Sequence, residues 1–142
     1  MYFAPIRFFT FLVALCAHTT LARACHCLHG PEALMSRVIA TELKERHGIL
    51  VDAKVLANGT GAAAHMTTSK VLGVWAGKSG KTITVRHNLN GEACGIKFTV
   101  GQRLILLATP DDTGVLTTTM CSERLAELAK SWGKERVHAL AK

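Results

Sequence analysis

Along residues 31–47 the apolar positions fall at helical spacing, with Leu34 and Val38 in one i, i+4 row and Met35, Ile39 and Leu43 in another. Pro31 suits the first helical position, and Lys44, Arg46 and His47 lead into Gly48, so the pattern predicts an amphipathic helix over 31–47. From Ile49 the period changes to two. Val51, Ala53 and Val55 alternate with Asp52 and Lys54, which predicts a half-buried strand over 49–56, followed by a loop over 58–64. Further strands are predicted at 67–75, 81–87, 96–100, 103–108 and 115–120, separated by turn-type residues at 77–80, 88–91, 101–102 and 110–114. After Cys121, Ser122 predicts a helix cap; Leu125, Leu128 and Trp132 share one face, and Gly133 is a break before a short basic end.

Short strands joined by tight turns and flanked by helices predict a mainly β fold. The six strand segments are one more than the five of a minimal oligonucleotide-binding-type barrel. No internal repeat or low-complexity tract interrupts them.

Residues 1–24 change which part of the chain is expected to work. They carry Arg7, an apolar run over 8–17, and Ala22-Arg23-Ala24, the small-x-small pattern of a signal-peptidase site. The run is too short and too interrupted to span a membrane. The expected mature chain is a single domain over 25–142, exported to the periplasm or the extracellular space, with no transmembrane segment, and a monomer. A cysteine at the cleavage point also raises a lipoprotein anchor at Cys25, for which Ala22 and Arg23 are poor matches. The full chain has 17 Lys and Arg against 10 Asp and Glu; losing Arg7 and Arg23 leaves a formal charge of +5, which favours acidic partners.

Cys16 leaves with the signal, so Cys25, Cys27, Cys94 and Cys121 remain. An even number in a small exported domain predicts two disulfides. A Cys25–Cys27 bridge across one residue is disfavoured, and both other pairings tie the start of the domain to distant chain.

Cys25-His26-Cys27, the helix, the run of short strands, Val71-Leu72-Gly73-Val74-Trp75-Ala76-Gly77, the stretch Glu92-Ala93-Cys94-Gly95-Ile96-Lys97-Phe98-Thr99-Val100-Gly101-Gln102-Arg103-Leu104-Ile105-Leu106, and Thr119-Met120-Cys121 together resemble the netrin-like module of tissue inhibitors of metalloproteinases. The resemblance implies a closed five-stranded oligonucleotide-binding-type barrel, with Cys25 bridged to Cys94 and Cys27 to Cys121. It also implies an inhibitor, not an enzyme. Cys25, His26, Cys27 and Leu28 would form a wedge, the amine nitrogen and carbonyl oxygen of Cys25 would chelate the catalytic zinc of a target protease, and His26 would enter its main specificity pocket. The zinc belongs to the target, so no cofactor of its own is expected. The chain departs from the family where His26 replaces a small hydroxyl residue, where Leu28-His29-Gly30-Pro31 replaces an apolar, proline-containing stretch, and in lacking a third disulfide and a C-terminal domain.

Other patterns give weaker expectations. Cys25-His26-Cys27 with His29 offers thiolates and imidazoles suited to zinc or copper if reduced. Gly73–Ser79 has three residues between its glycines where a phosphate-binding loop has four, and is rejected. No hydrolase motif is visible. Asn58-Gly59-Thr60 is a glycosylation sequon. Lys70, Lys78, Lys81 and Arg86, with Lys130, Lys134, Arg136 and Lys142, offer a surface for polyanions; nucleic acid is not expected as a partner. The alternative function is an exported, non-inhibitory binding or adhesion module using the barrel face or these basic residues.

Overall fold

Residues 49–58 carry the alternation described above and form β1 (Ile49–Asn58), the strand on which the rest is assembled. In this computed structural model, which describes residues 25–89 and 94–142, β1 pairs antiparallel with β2 (Met66–Ala76) on one side and β4 (Arg103–Pro110) on the other. β3 (Thr82–Arg86) continues from β2, and the two-residue β5 (Leu116–Thr117) closes the circle between β3 and β4. The order is β1-β2-β3-β5-β4 in a closed barrel. Four pairings are antiparallel and the β3–β5 pairing, at Arg86 and Thr117, is parallel. Residues 1–24, where the signal segment is expected, and residues 90–93 lie outside the described residues.

Two apolar cores explain the strand patterns. Inside the barrel, Val51, Ala53, Val55, Ile83, Val85 and Leu106 meet Ile96 and Phe98. Outside it, Leu50, Ile105 and Leu107 meet three helices, α1 (Glu32–Lys44), α2 (Met120–Trp132) and α3 (Lys134–Leu140), through Ile39, Leu43, Ala126, Ala129 and Val137. β4 therefore buries both faces, which is why it reads as a continuous apolar run instead of an alternation. Each fully buried aliphatic side chain here contributes about 1.5–3 kcal/mol of transfer free energy.

Several boundaries differ from the sequence reading. Residues 96–100 alternate in burial as a strand would, yet form no strand. The backbone groups are taken elsewhere: the Ile96 amide by the Asn88 carbonyl, the Phe98 carbonyl by the Asn58 side chain and the Thr99 amide by the Gln102 side chain. This removes the sixth strand and leaves five. The strand predicted over 115–120 shrinks to β5 because Met120 already belongs to α2, whose cap is Thr119, accepting from the Ser122 amide at 3.2 Å, and not Ser122 itself. Asn58 ends β1 instead of opening a loop, and the short basic end is the helix α3.

Helix α1 begins after Pro31, whose carbonyl accepts from the Leu34 and Met35 amides, and stops at Lys44. Of the two apolar rows, Met35, Ile39 and Leu43 are buried, while Leu34 is exposed. At the exit His47 takes the left-handed conformation (φ 54°), and Gly48 is needed for a different reason. A Cβ there would stand 2.5 Å from the Glu42 carbonyl and 2.9 Å from Thr109 Cγ2, so only glycine lets the chain turn tightly from α1 into β1.

Candidate functional site

The segment 25–31 has no regular structure of its own and is held from outside. Cys25 is bridged to Cys94 (Cα–Cα 5.4 Å) and Cys27 to Cys121 (Cα–Cα 5.1 Å), the pairing that the family resemblance implies. Cys121 sits in the first turn of α2, and Cys94 in a turn where its φ is 58°, a left-handed conformation that costs a non-glycine residue of order 1 kcal/mol. With all four sulfurs bridged, Cys25 and Cys27 have no thiolates to offer a metal directly, and the described residues hold no cluster of three or more His, Cys, Asp or Glu suited to a metal ion.

The bridges set which side chains face outward. Cys25 and Cys27 are half-buried, His26 is exposed, and Leu28 is 57% exposed. A third tie lies at His29, whose Nε2 is 3.1 Å from Arg124 Nη1 on α2. A guanidinium can only donate, so Nε2 accepts and the neutral ring carries its proton on Nδ1. Arg124 lies 95 residues away, and no pattern in the sequence links it to His29.

A polar chain runs inward from the exposed Asn58 to the buried Thr67 and His87. Asn58 Nδ2 donates to the Phe98 carbonyl at 2.7 Å, Thr67 Oγ1 donates to Asn58 Oδ1 at 2.8 Å, and Thr67 Oγ1 lies 2.7 Å from His87 Nε2. Thr67 has one proton and uses it on Asn58, so His87 Nε2 must donate and Nδ1 keeps its lone pair. Among the described residues, that buried Nδ1 has no hydrogen-bond partner. The ring stands edge-on to Phe98, centroids 4.9 Å apart. Burial pushes the His87 pKa below the ordinary histidine value; the backbone at Ile96 and Asn88 offsets this in part, and His65 adds to the depression.

This polar chain bears on the Cys25–Cys94 anchor because the His87 backbone amide bonds the His65 carbonyl, and the Ile96 amide bonds the Asn88 carbonyl at the base of the loop that carries Cys94. A cleft of about 430 Å³ opens beside it, lined by His65, Arg86, His87, Asn88 and Thr117 to Thr119. Asn58 of the sequon is thus a working member of the network through both amide atoms.

The basic residues separate into two groups. Arg86 pairs with Asp111 at 3.0 Å, Lys130 with Glu127 at 3.6 Å, and Arg136 with Glu32 while stacking over Trp132. Lys70, Lys78 and Lys81 are exposed and lie in no ion pair among the described residues.

No helix among the described residues is long and apolar enough to cross a membrane. No protein-family model matches the chain, and no curated protein matches it.

Proposed function

We propose that the chain is an exported inhibitor of zinc metalloendopeptidases. The α-amine and carbonyl of a mature N-terminal Cys25 chelate the target's catalytic zinc, and His26 enters the pocket beside it. The observation that carries this reading is the alternation at the start of the domain: Cys25 and Cys27 are drawn inward by bridges to separate elements, while His26 and Leu28 face outward.

The chemistry suits that arrangement. A catalytic zinc has three protein ligands and an exchangeable water, which a five-membered N,O chelate can displace. An α-amine has a pKa near 7.7–8.0, so a useful fraction is neutral near pH 7 and its lone pair is available. Two disulfides and the His29–Arg124 contact hold the segment before it meets a target, so little ordering entropy is lost on docking. Cleavage after Ala24 is part of the proposal, because an acylated or extended Cys25 has no free amine.

The test is a panel of zinc endopeptidases assayed with the mature protein and with His26→Gly. The native protein should inhibit at least one member, and His26→Gly should reorder the ranking among targets while keeping inhibition, since it empties the pocket without touching the chelate. Inhibition of none by the native protein would overturn the proposal.

A further inference from the structure

At the end of β1 the fold asks for an asparagine followed by a glycine. A Cβ on Gly59 would lie 2.0 Å from the Ala63 carbonyl oxygen, which is backbone, so only glycine fits there. Asn58 must both donate and accept, since its Nδ2 serves the Phe98 carbonyl and its Oδ1 takes the Thr67 hydroxyl. No other side chain of that length carries both groups. The pair has a chemical consequence. With no side chain on the glycine, its backbone nitrogen meets the least steric hindrance in reaching the carboxamide carbon of the asparagine before it.

In the folded protein that approach is blocked from both sides. The Gly59 amide donates to the Met66 carbonyl at 2.8 Å, so its proton is engaged and its nitrogen is directed toward β2. The Asn58 carboxamide is held at 2.7 Å through Nδ2 and at 2.8 Å through Oδ1, and cannot swing Cγ toward that nitrogen. Solvent is not what is missing. Asn58 is exposed, and with Gly59, His87, Lys97 and Phe98 it lines a cleft of about 520 Å³.

We propose that Asn58 is a deamidation site gated by the fold, held unreactive by these three hydrogen bonds and converted when the β1–β2 end opens. The Gly59 nitrogen, its proton lost to base, attacks Asn58 Cγ; a C–N bond forms, the Cγ–Nδ2 bond breaks, and ammonia leaves a succinimide behind. Water then adds to one of the two ring carbonyls and the ring C–N bond breaks at that carbon, giving aspartate or isoaspartate. Either product carries a carboxylate, which has no proton to donate to the Phe98 carbonyl. Reclosure therefore lacks a bond it had before. Phe98 lies inside the barrel with its ring against His87, so the loss is felt in the core. This site is independent of the amino-terminal segment and of any inhibition by it.

The experiment holds the mature protein in mildly alkaline buffer, folded and in urea above its unfolding midpoint. Peptide mapping follows the gain of one dalton at Asn58, with isoaspartate-specific methylation as a second readout. Mapping separates Asn58 from the other Asn-Gly pair of the sequence, Asn90-Gly91. Conversion at Asn58 should be at least about tenfold slower in the folded protein, because chemistry of this kind tracks the population of the opened form. Thr67→Val removes the donor to Oδ1; it should raise the folded-state rate about threefold or more and leave the rate in urea unchanged. Asn58→Asp, which carries the product carboxylate, should melt about 3–10 °C below the native protein, the range for one carbonyl left without its donor in a domain of this size. No conversion at Asn58 in urea, equal rates folded and unfolded, or an unchanged melting temperature for Asn58→Asp would overturn the proposal.

Discussion

The carbonyl of Cys94 accepts a hydrogen bond from the amide of Met120 at 3.1 Å. Cys94 holds Cys25, and the residue after Met120 is Cys121, which holds Cys27. Both anchors of the amino-terminal segment are therefore joined by one backbone contact at the start of α2, so Cys25 and Cys27 are fixed relative to each other through the domain and not only through His26.

Removing the second anchor should then loosen the segment without dissolving the barrel. Its loop spans a sequence separation of 94, for which the chain-entropy model gives about 4–5 kcal/mol and measured native disulfides about 2–5 kcal/mol. Cys27→Ser with Cys121→Ser should lower stability in denaturant titration by that measured range while retaining β-type circular dichroism. Native protein should titrate with no free thiol, and non-reducing digestion should recover Cys25 with Cys94 and Cys27 with Cys121.

Acid should weaken the fold through His87. Its folded pKa lies below the unfolded value of about 6.5 because burial disfavours the charged ring, so between those two values the unfolded chain binds more protons. The stability contributed by the neutral ring is fully present above about pH 6.5 and is lost as pH falls toward the folded pKa. His87→Gln keeps an N–H donor for Thr67 and removes the titration. It should flatten the decline in melting temperature between about pH 7 and pH 5; an unchanged slope would assign the acid sensitivity to other groups.

Gly48→Ala should cost about 1–3 kcal/mol, the range for forcing a group into filled space. The added Cβ would meet the Glu42 carbonyl at 2.5 Å, which is backbone and cannot swing away. Gly101→Ala provides a contrast: nothing lies within 4 Å of a Cβ there, but its φ of 86° makes any side chain strained for conformational reasons alone. Urea titrations of the two variants separate close approach from backbone preference.

The strands were legible because their cause is local, while their closure into a barrel was implied only by the family resemblance. Alternation in β1 and the continuous apolar run of β4 are read directly from residues 49–58 and 103–110, and tight turns between them leave few topologies. The segment 96–100 shows the limit of that reading. Ile96 and Phe98 alternate inward as strand residues do, but whether a strand forms depends on who takes the backbone groups, and Asn58, Asn88 and Gln102 take them here. The anchoring of the amino-terminal segment was visible through its cysteines. His87, Thr67 and Arg124 were not, because a histidine near a threonine, or an arginine on a helix, signals nothing until folding brings it within 3.1 Å of a partner across 20 or 95 residues.

The most direct measurement of the central proposal compares the mature protein beginning at Cys25 with the same protein carrying one added Ala before it. Both are assayed against zinc endopeptidases that the native form inhibits, with circular dichroism to confirm equal folding. The extension turns the Cys25 nitrogen into an amide with no lone pair for the metal. Inhibition should weaken by about 100-fold or more, equivalent to about 3 kcal/mol of binding free energy. Equal inhibition by the two forms would contradict chelation by Cys25.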